Sequence, residues 1–188
     1  QILEETTVCF TAGTKITMWG GSTKNIEKVL VDDLVETYNE STGEIEQGKV
    51  EKISKHLTES IIKLTFDDGN IINTTNEHPF YVEGKNWVAA SKLIIGDVCK
   101  KGKNEKSIIT SIEIIYETTT VYNLLSVAPN HNFYANGILV HNKVSTPVIT
   151  ILGSSSIWGG DSSPGTFKSI NAKVGTVNKH PIYFAHFK

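Results

Sequence analysis

The sequence lacks the features that define several common classes of protein. Only two cysteines, Cys9 and Cys99, occur in 188 residues, so the chain has no disulfide framework. No apolar run approaches the roughly 18 residues that cross a membrane, and no signal-peptide pattern precedes the first predicted strand. A formal net charge of −2 gives no electrostatic reason to expect nucleic acid or an anionic membrane as a partner. The histidines and cysteines show no metal-ligand spacing, and we expect no metal or cofactor.

Short apolar segments separated by turn residues make up most of the chain. Hydrophobic residues account for 39% and charged residues for 20%, a composition that can bury a core. Alternation and β-branched residues predict strands, among them a hairpin of 61–66 with 71–74 and a strand pair of 108–116 with 119–125. No long amphipathic helix is indicated. The predicted class is all-β, in one domain of ordinary size with a small appendage.

The segment from His131 to Asn142 has the pattern of a tight β-hairpin. Asn136-Gly137 is the strongest short-range signal for a two-residue type I′ turn, because both positions require positive φ. Counting outward from that turn places His131 opposite Asn142, with Cβ atoms roughly 5 Å apart. The Ile-Leu-Val run before His141 indicates a buried strand that carries polar groups into the interior, where they need partners. We favour a reactive centre here over the end of an exposed hairpin.

Two segments of the chain repeat one another. Lys28–Val35 aligns with Lys92–Cys99, at an offset of 64 residues (28 to 92). Each has a Lys, three apolar residues, a turn residue followed by Asp, and two apolar residues. A match this short also arises by chance, but two structurally similar halves would produce it.

Cys9 and the pair of Thr75 and His78 are further candidates for chemistry. A Cys thiolate is a nucleophile when a lowered pKa or a nearby base supplies it, although a lone cysteine is more often a small buried hydrophobe. Thr75 and His78, just before a Pro, fit a hydrogen-bond donor and a general acid aimed at one amide. Taken alone, they fit better a capping Thr and a solvated His on a surface loop.

The composition changes after Asn142, where the chain becomes rich in Ser and Gly and then in aromatic residues. We therefore place a boundary between Asn142 and Lys143. It divides the chain into a flank of residues 1–8, a domain of residues 9–142, and a fragment of another protein at residues 143–188.

Taken together and in order, these motifs resemble those of the Hint superfamily, the hedgehog/intein fold. The likeness is strongest to mini-inteins and bacterial intein-like domains. It rests on Cys9-Phe-x-x-Gly-Thr, Thr75-x-x-His-Pro-Phe, the repeated Asp segments and His131-Asn-Phe-x-x-x-Gly-Ile-Leu-Val-His-Asn142. The resemblance implies an all-β, horseshoe-shaped fold with two β-subdomains related by a pseudo-twofold axis. It also implies that the domain processes its own polypeptide.

At the N-terminal end, the resemblance implies an acyl shift. Cys9 attacks the Val8 carbonyl and converts the Val8–Cys9 amide into a thioester. Thr75 and His78 destabilise that amide and protonate its leaving nitrogen. Acid–base groups of this kind typically contribute ~10²–10⁴-fold to a rate.

At the C-terminal end, the resemblance implies cleavage by Asn142. Its side chain cyclises to a succinimide and cuts the Asn142–Lys143 bond. His141 protonates the departing amine or holds the carbonyl oxygen, and His131 polarises or deprotonates the Asn142 carboxamide.

Two positions depart from the splicing pattern. Splicing inteins carry Cys, Ser or Thr directly after the terminal Asn, where this chain has Lys143. The Lys side chain, with a pKa of about 10.4, is only roughly 0.04% free amine at pH 7, whereas an α-amine with a pKa of about 8 is roughly 10% free. Asn123 stands where many inteins have an Asp that couples the steps. We therefore expect cleavage at both ends, with ligation as a minor product.

Other interpretations stay open from the sequence. The chain fits full splicing with a non-standard acceptor, or an inactive Hint-fold linker or binding module. A hedgehog-like transfer to a small external nucleophile fits less well, because it needs no terminal Asn, and a protease acting on other proteins fits least. We expect a monomer whose partners are its own flanking segments, with no nucleic acid or membrane.

Overall fold

The computed structural model describes residues 8–142, 173–177 and 180–183. The chain divides into two compact units, residues 1–145 and residues 146–188. In the second unit, the described residues form an antiparallel pair of two strands. The predicted boundary after Asn142 stays a prediction.

The first unit is built almost entirely of β-strands, which confirms the predicted class. Its strands are β1 (Phe10–Thr11), β2 (Lys15–Thr17), β3 (Thr23–Asn25), β4 (Leu34–Asn39), β5 (Glu44–Thr58), β6 (Ile61–Phe66), β7 (Ile71–Thr74), β8 (Pro79–Val82), β9 (Asn86–Ala89), β10 (Val98–Lys101), β11 (Glu105–Ile115), β12 (Thr119–Ala128), β13 (Asn132–Ala135) and β14 (Ile138–His141). Two 3₁₀-helices, Ile26–Lys28 and Ala90–Lys92, are the helical elements of the described residues. The pair in the second unit is β15 (Lys173–Val177) with β16 (His180–Tyr183). Among the described residues, no helix is long and apolar enough to cross a membrane.

The repeat at an offset of 64 residues corresponds to two halves with the same local structure. The β2–β3 pairing of Ile16 with Lys24 has its counterpart in the β8–β9 pairing of Phe80 with Val88. A 3₁₀-helix follows each pair, and a loop closed by an Asp follows each 3₁₀-helix. Asp33 accepts a 2.8 Å hydrogen bond from the Leu30 backbone N–H, and Asp97 accepts one of 3.0 Å from Ile94. The predicted pseudo-twofold architecture is confirmed.

The two halves exchange strands. β5 leaves the first half and pairs with β12 of the second, whereas β6 pairs with β11. The prediction that 108–116 and 119–125 pair with each other is therefore wrong, although both segments are strands. The connection at residues 116–118 lacks the Gly or Asn that a tight hairpin turn needs. Each strand instead finds its partners elsewhere in the sheet.

The β13–β14 hairpin lies between the two repeated hairpins. Asn136 and Gly137 have φ of 47° and 78°, as a type I′ turn requires, and Asn132 pairs with His141, so the predicted hairpin and register are confirmed. β13 pairs with β2 and β14 with β8. The Asn136 side chain anchors the turn by accepting a hydrogen bond from the Lys15 N–H at 2.7 Å and donating one to the Ile71 carbonyl at 2.8 Å. The end of β14 is thereby held inside the sheet.

Candidate functional site

Cys9 lies at the start of β1, between strands from distant parts of the chain. Phe10 pairs with Tyr122 on β12 and with Thr74 on β7. Val8 and Cys9 are both buried. The pairing fixes the amide that joins Val8 to Cys9 beside the segment that follows β7.

The Thr75 hydroxyl meets the amide nitrogen of Cys9. Its Oγ1 accepts a 2.9 Å hydrogen bond from the Cys9 backbone N–H, and the Thr75 N–H donates to the Cys9 carbonyl at 3.0 Å. From sequence, Thr75 was expected to be a donor toward this amide; toward the amide nitrogen it is the acceptor. An acceptor on the N–H side fixes the nitrogen without protonating it, so a proton for that nitrogen must come from another group.

His78 is fully buried in an aromatic cage. Its ring centroid lies 4.0 Å from that of Phe10, 6.0 Å from Phe80 and 6.4 Å from Phe133. Burial, with the nearby charge of His141, lowers the pKa of His78 to about 3, so the imidazole is neutral at physiological pH. The His141 backbone faces the ring, but within the described residues neither ring nitrogen meets the geometry of a hydrogen bond. The interpretation of His78 as a solvated loop residue is therefore wrong.

The Cys9 thiol is protonated in the resting structure. Burial raises its pKa to about 12, and a hydrogen bond with the Ser54 hydroxyl opposes the rise. Both Cys9 and Cys99 are free thiols. Because the thiolate is the nucleophile, attack by Cys9 requires a base that takes its proton at the moment of reaction.

A groove of about 430 Å³ lies next to the thiol and is lined by residues that include Ser54 and Asn123. These two residues face each other across β5 and β12. Asn123 is 1% exposed, and neither Oδ1 nor Nδ2 has a hydrogen-bond partner among the described residues. The Asn that replaces the family's usual Asp therefore has an unpaired carboxamide. Ser54 was not predicted from the sequence, because only the long-range β5–β12 pairing brings it to the site.

Asn142 directly follows the hairpin and is held by its backbone. Its N–H donates to the His131 carbonyl at 3.0 Å, and His131 itself adopts a φ of 57°. The Asn142 side chain is 1% exposed, and neither atom of its carboxamide has a partner in the part of the chain that the structure describes. Buried amides of this kind are normally bonded, so this one is free to move toward its own carbonyl.

His141 is half-buried and packs on Trp87 of β9. The ring centroids are 4.8 Å apart and the planes meet at 76°. Trp87 was not singled out from the sequence; its signal was a bulky aromatic where the first half has Thr23, 64 positions earlier.

The two predicted clusters meet around His78. Phe10 of the N-terminal cluster and Phe133 of the hairpin both pack on its ring, and His141 is near enough to influence its charge. His131 joins through the backbone of Asn142. Lys143 lies outside the described residues. Among those residues, no group of three or more His, Cys, Asp or Glu side chains is placed to hold a metal ion.

Comparison with known proteins identifies the family. Residues 17–143 match the family model of the pretoxin HINT domain. The solution structure of a bacterial intein-like domain from Clostridium thermocellum is 30% identical, with a TM-score of 0.67 over 71% of this chain and 98% of that one.

Solved inteins have the same fold at lower identity. A DnaB intein from Synechocystis sp. PCC 6803 is 22% identical, with a TM-score of 0.67 over 73% of this chain and all of that one. The gp41-1 intein is 27% identical, with a TM-score of 0.59 over 72% and 99%. The comparison with curated proteins gave no match. The chain therefore belongs to the Hint superfamily, as a pretoxin HINT domain with the fold of mini-inteins and bacterial intein-like domains.

Proposed function

We propose that the chain cleaves its own backbone at Val8–Cys9 and at Asn142–Lys143. The observation that carries the proposal is the 2.9 Å hydrogen bond from the Cys9 N–H to the Thr75 hydroxyl. It fixes the nitrogen of one proposed scissile amide beside a buried nucleophile and a neutral imidazole. The membership in a family of self-processing domains supports the same conclusion.

At the N-terminal end, the reaction is an exchange of an amide for a thioester. The Cys9 sulfur forms a bond to the Val8 carbonyl carbon, and the bond from that carbon to the Cys9 nitrogen breaks. The thiol loses a proton and the nitrogen gains one. Neutral His78 is suited to carry this proton, because its low pKa leaves it unprotonated before the step and acidic once protonated.

At the C-terminal end, the Asn142 carboxamide nitrogen attacks its own carbonyl carbon. A succinimide ring forms, the bond to the Lys143 nitrogen breaks, and the amine departs. The carboxamide loses a proton, for which His131 is the nearby acceptor, and the amine gains one from His141. The unpaired state of the Asn142 side chain among the described residues supports this step, because no hydrogen bond has to break before it moves.

We propose that the two cuts, rather than splicing, are the main outcome. Lys143 offers no thiol or hydroxyl at the position after Asn142. The thioester is then resolved by water, with aminolysis by the released α-amine as a minor route. Since the family is described as the HINT domain of pretoxins, we propose that the polypeptide starting at Lys143 belongs to a pretoxin and is released by the second cut.

The test is to express the chain with bulky flanks of different mass and to weigh the products by mass spectrometry. We expect free N-terminal flank, free C-terminal flank and the excised domain. Cys9→Ala should abolish the first cut and leave the second, and Asn142→Ala should do the reverse.

Two results would count against the proposal. An intact chain after long incubation with a thiol would indicate an inactive Hint fold. A dominant product in which Val8 is joined to Lys143 would replace cleavage with splicing.

A further inference from the structure

An aromatic cluster covers the C-terminal end of the hairpin. The Trp87 ring contacts the His141 imidazole in a T-shaped arrangement, with centroids 4.8 Å apart. Tyr81, on the neighbouring strand, packs on the other partner of this pair, with its centroid 5.1 Å from that of Trp87. The Trp87 Nε1–H donates a 3.2 Å hydrogen bond to a carboxylate oxygen of Glu40. The indole is therefore held from two directions besides its contact with His141.

The repeat in the fold shows that the backbone does not require this cluster. Tyr81 and Trp87 face each other across β8 and β9, and the equivalent pair across β2 and β3 is Thr17 with Thr23. The two hairpins have the same register and the same connection length, yet one carries two threonines and the other two large aromatic rings. The aromatic pair is found in the half whose hairpin pairs with β14, the strand that ends at His141.

His141 needs such support because its cross-strand neighbour is engaged elsewhere. That neighbour, Asn132, uses both carboxamide atoms on the Tyr38 backbone, each at 2.8 Å. Trp87 supplies a rigid flat surface at the end of β14, where His141 is only half-buried.

We infer that Trp87 is a positioning residue for the second cut: its indole holds the His141 imidazole where it can give a proton to the departing Lys143 nitrogen. Trp87 takes no part in any bond that forms or breaks. The inference rests on the proposed function for its kinetic consequence, whereas the contact between the two rings is measurable without any cleavage.

The kinetic test compares both cuts in the flanked full chain. Trp87→Leu should slow cleavage after Asn142 by roughly two- to tenfold, the factor that corresponds to the loss of one aromatic pair. Cleavage at Val8–Cys9, released by hydroxylamine, should keep its rate. Trp87→Phe should restore most of the loss, because a smaller ring still packs on the imidazole. Trp19→Leu, at a tryptophan 45% exposed on the opposite hairpin, is the matched control and should change neither rate.

A spectroscopic test keeps the inference falsifiable if Trp87→Leu does not fold. In the uncleavable Asn142→Ala chain, the ring protons of His141 should show an aromatic ring-current shift by NMR. Trp87→Phe should reduce this shift, and Glu40→Gln should perturb it while the chain remains folded. An unshifted His141, or Trp87→Phe and Trp87→Leu variants that cut after Asn142 at the unaltered rate, would overturn the inference. Failure of the unaltered chain to cut at all would instead reject the proposed function, whatever the NMR result.

Discussion

The Thr75 hydroxyl oxygen accepts a 2.9 Å hydrogen bond from the backbone N–H of Cys9, a residue 66 positions earlier in the chain. The bond joins the end of β7 to the start of β1 and has its acceptor on the nitrogen side of the proposed scissile amide. Its two partners belong to different halves of the repeat, so the site exists only when both halves are folded together.

Removing this acceptor should slow the first cut selectively. Thr75→Val leaves the buried Cys9 N–H unpaired, which costs ~1–3 kcal/mol and corresponds to a roughly 10- to 100-fold lower rate if the bond persists into the transition state. Thr75→Ser should retain most of the activity. The measurement is the rate of hydroxylamine-released cleavage at Val8–Cys9 in the Asn142→Ala chain. The matched control is Thr11→Val at the equivalent position of the first half; a loss as large as that of Thr75→Val would show that the effect is not specific to the hydrogen bond.

Two buried asparagines on the same hairpin should respond in opposite ways to the same substitution. Asn132 makes two 2.8 Å hydrogen bonds to the Tyr38 backbone, so Asn132→Ala leaves buried groups unpaired and should lower the free energy of unfolding by about 2–4 kcal/mol. Asn142 has an unpaired carboxamide among the described residues. Asn142→Ala should therefore leave stability unchanged or raise it, while abolishing the second cut. Urea denaturation of both variants decides the matter, and equal destabilisation would contradict the assigned difference in bonding.

Acid should destabilise the domain through His78. Its pKa is lowered from 6.5 to about 3 in the folded chain, so between these values the unfolded chain binds the additional proton. The free energy of unfolding should fall by about 1.4 kcal/mol for each pH unit below 6.5 and level off near pH 3. His78→Leu should remove this contribution to the slope. His56→Leu, at a half-buried histidine of β5, should retain it. Denaturation of Asn142→Ala chains at several pH values provides the measurement.

The Cys9 thiol should resist alkylation in the folded chain. With a pKa of about 12, its thiolate fraction at pH 8 is roughly a thousandfold lower than that of an ordinary cysteine. Iodoacetamide labelling followed by peptide mass analysis should give a rate that still rises between pH 9 and pH 10. The same chain in denaturant should react like a normal thiol. A plateau near pH 9 in the folded chain would show that the thiol is not desolvated.

Local chemistry made the hairpin predictable, whereas long-range packing did not appear in the sequence. Asn136-Gly137 specifies its turn from two residues, and the alternation around it sets the register. The strand exchange that separates β11 from β12 depends on partners more than 40 residues away. The burial of His78 depends on three phenylalanines brought from three strands. A search for differences between the two repeats, such as Thr23 against Trp87, would have found a site residue that motif matching missed.

The position of β1 in the sheet controls when processing can begin. The strand that carries Cys9 is among the first parts of the chain to be synthesised, but one of its two partners is β12, which ends at Ala128. The β13–β14 hairpin, which supplies part of the cage around His78, is made later still. During translation, the N-terminal flank is therefore still attached while most of the domain emerges from the ribosome, and the nucleophile is placed only when the last strands arrive. The order of synthesis itself protects the Val8–Cys9 bond from premature cleavage.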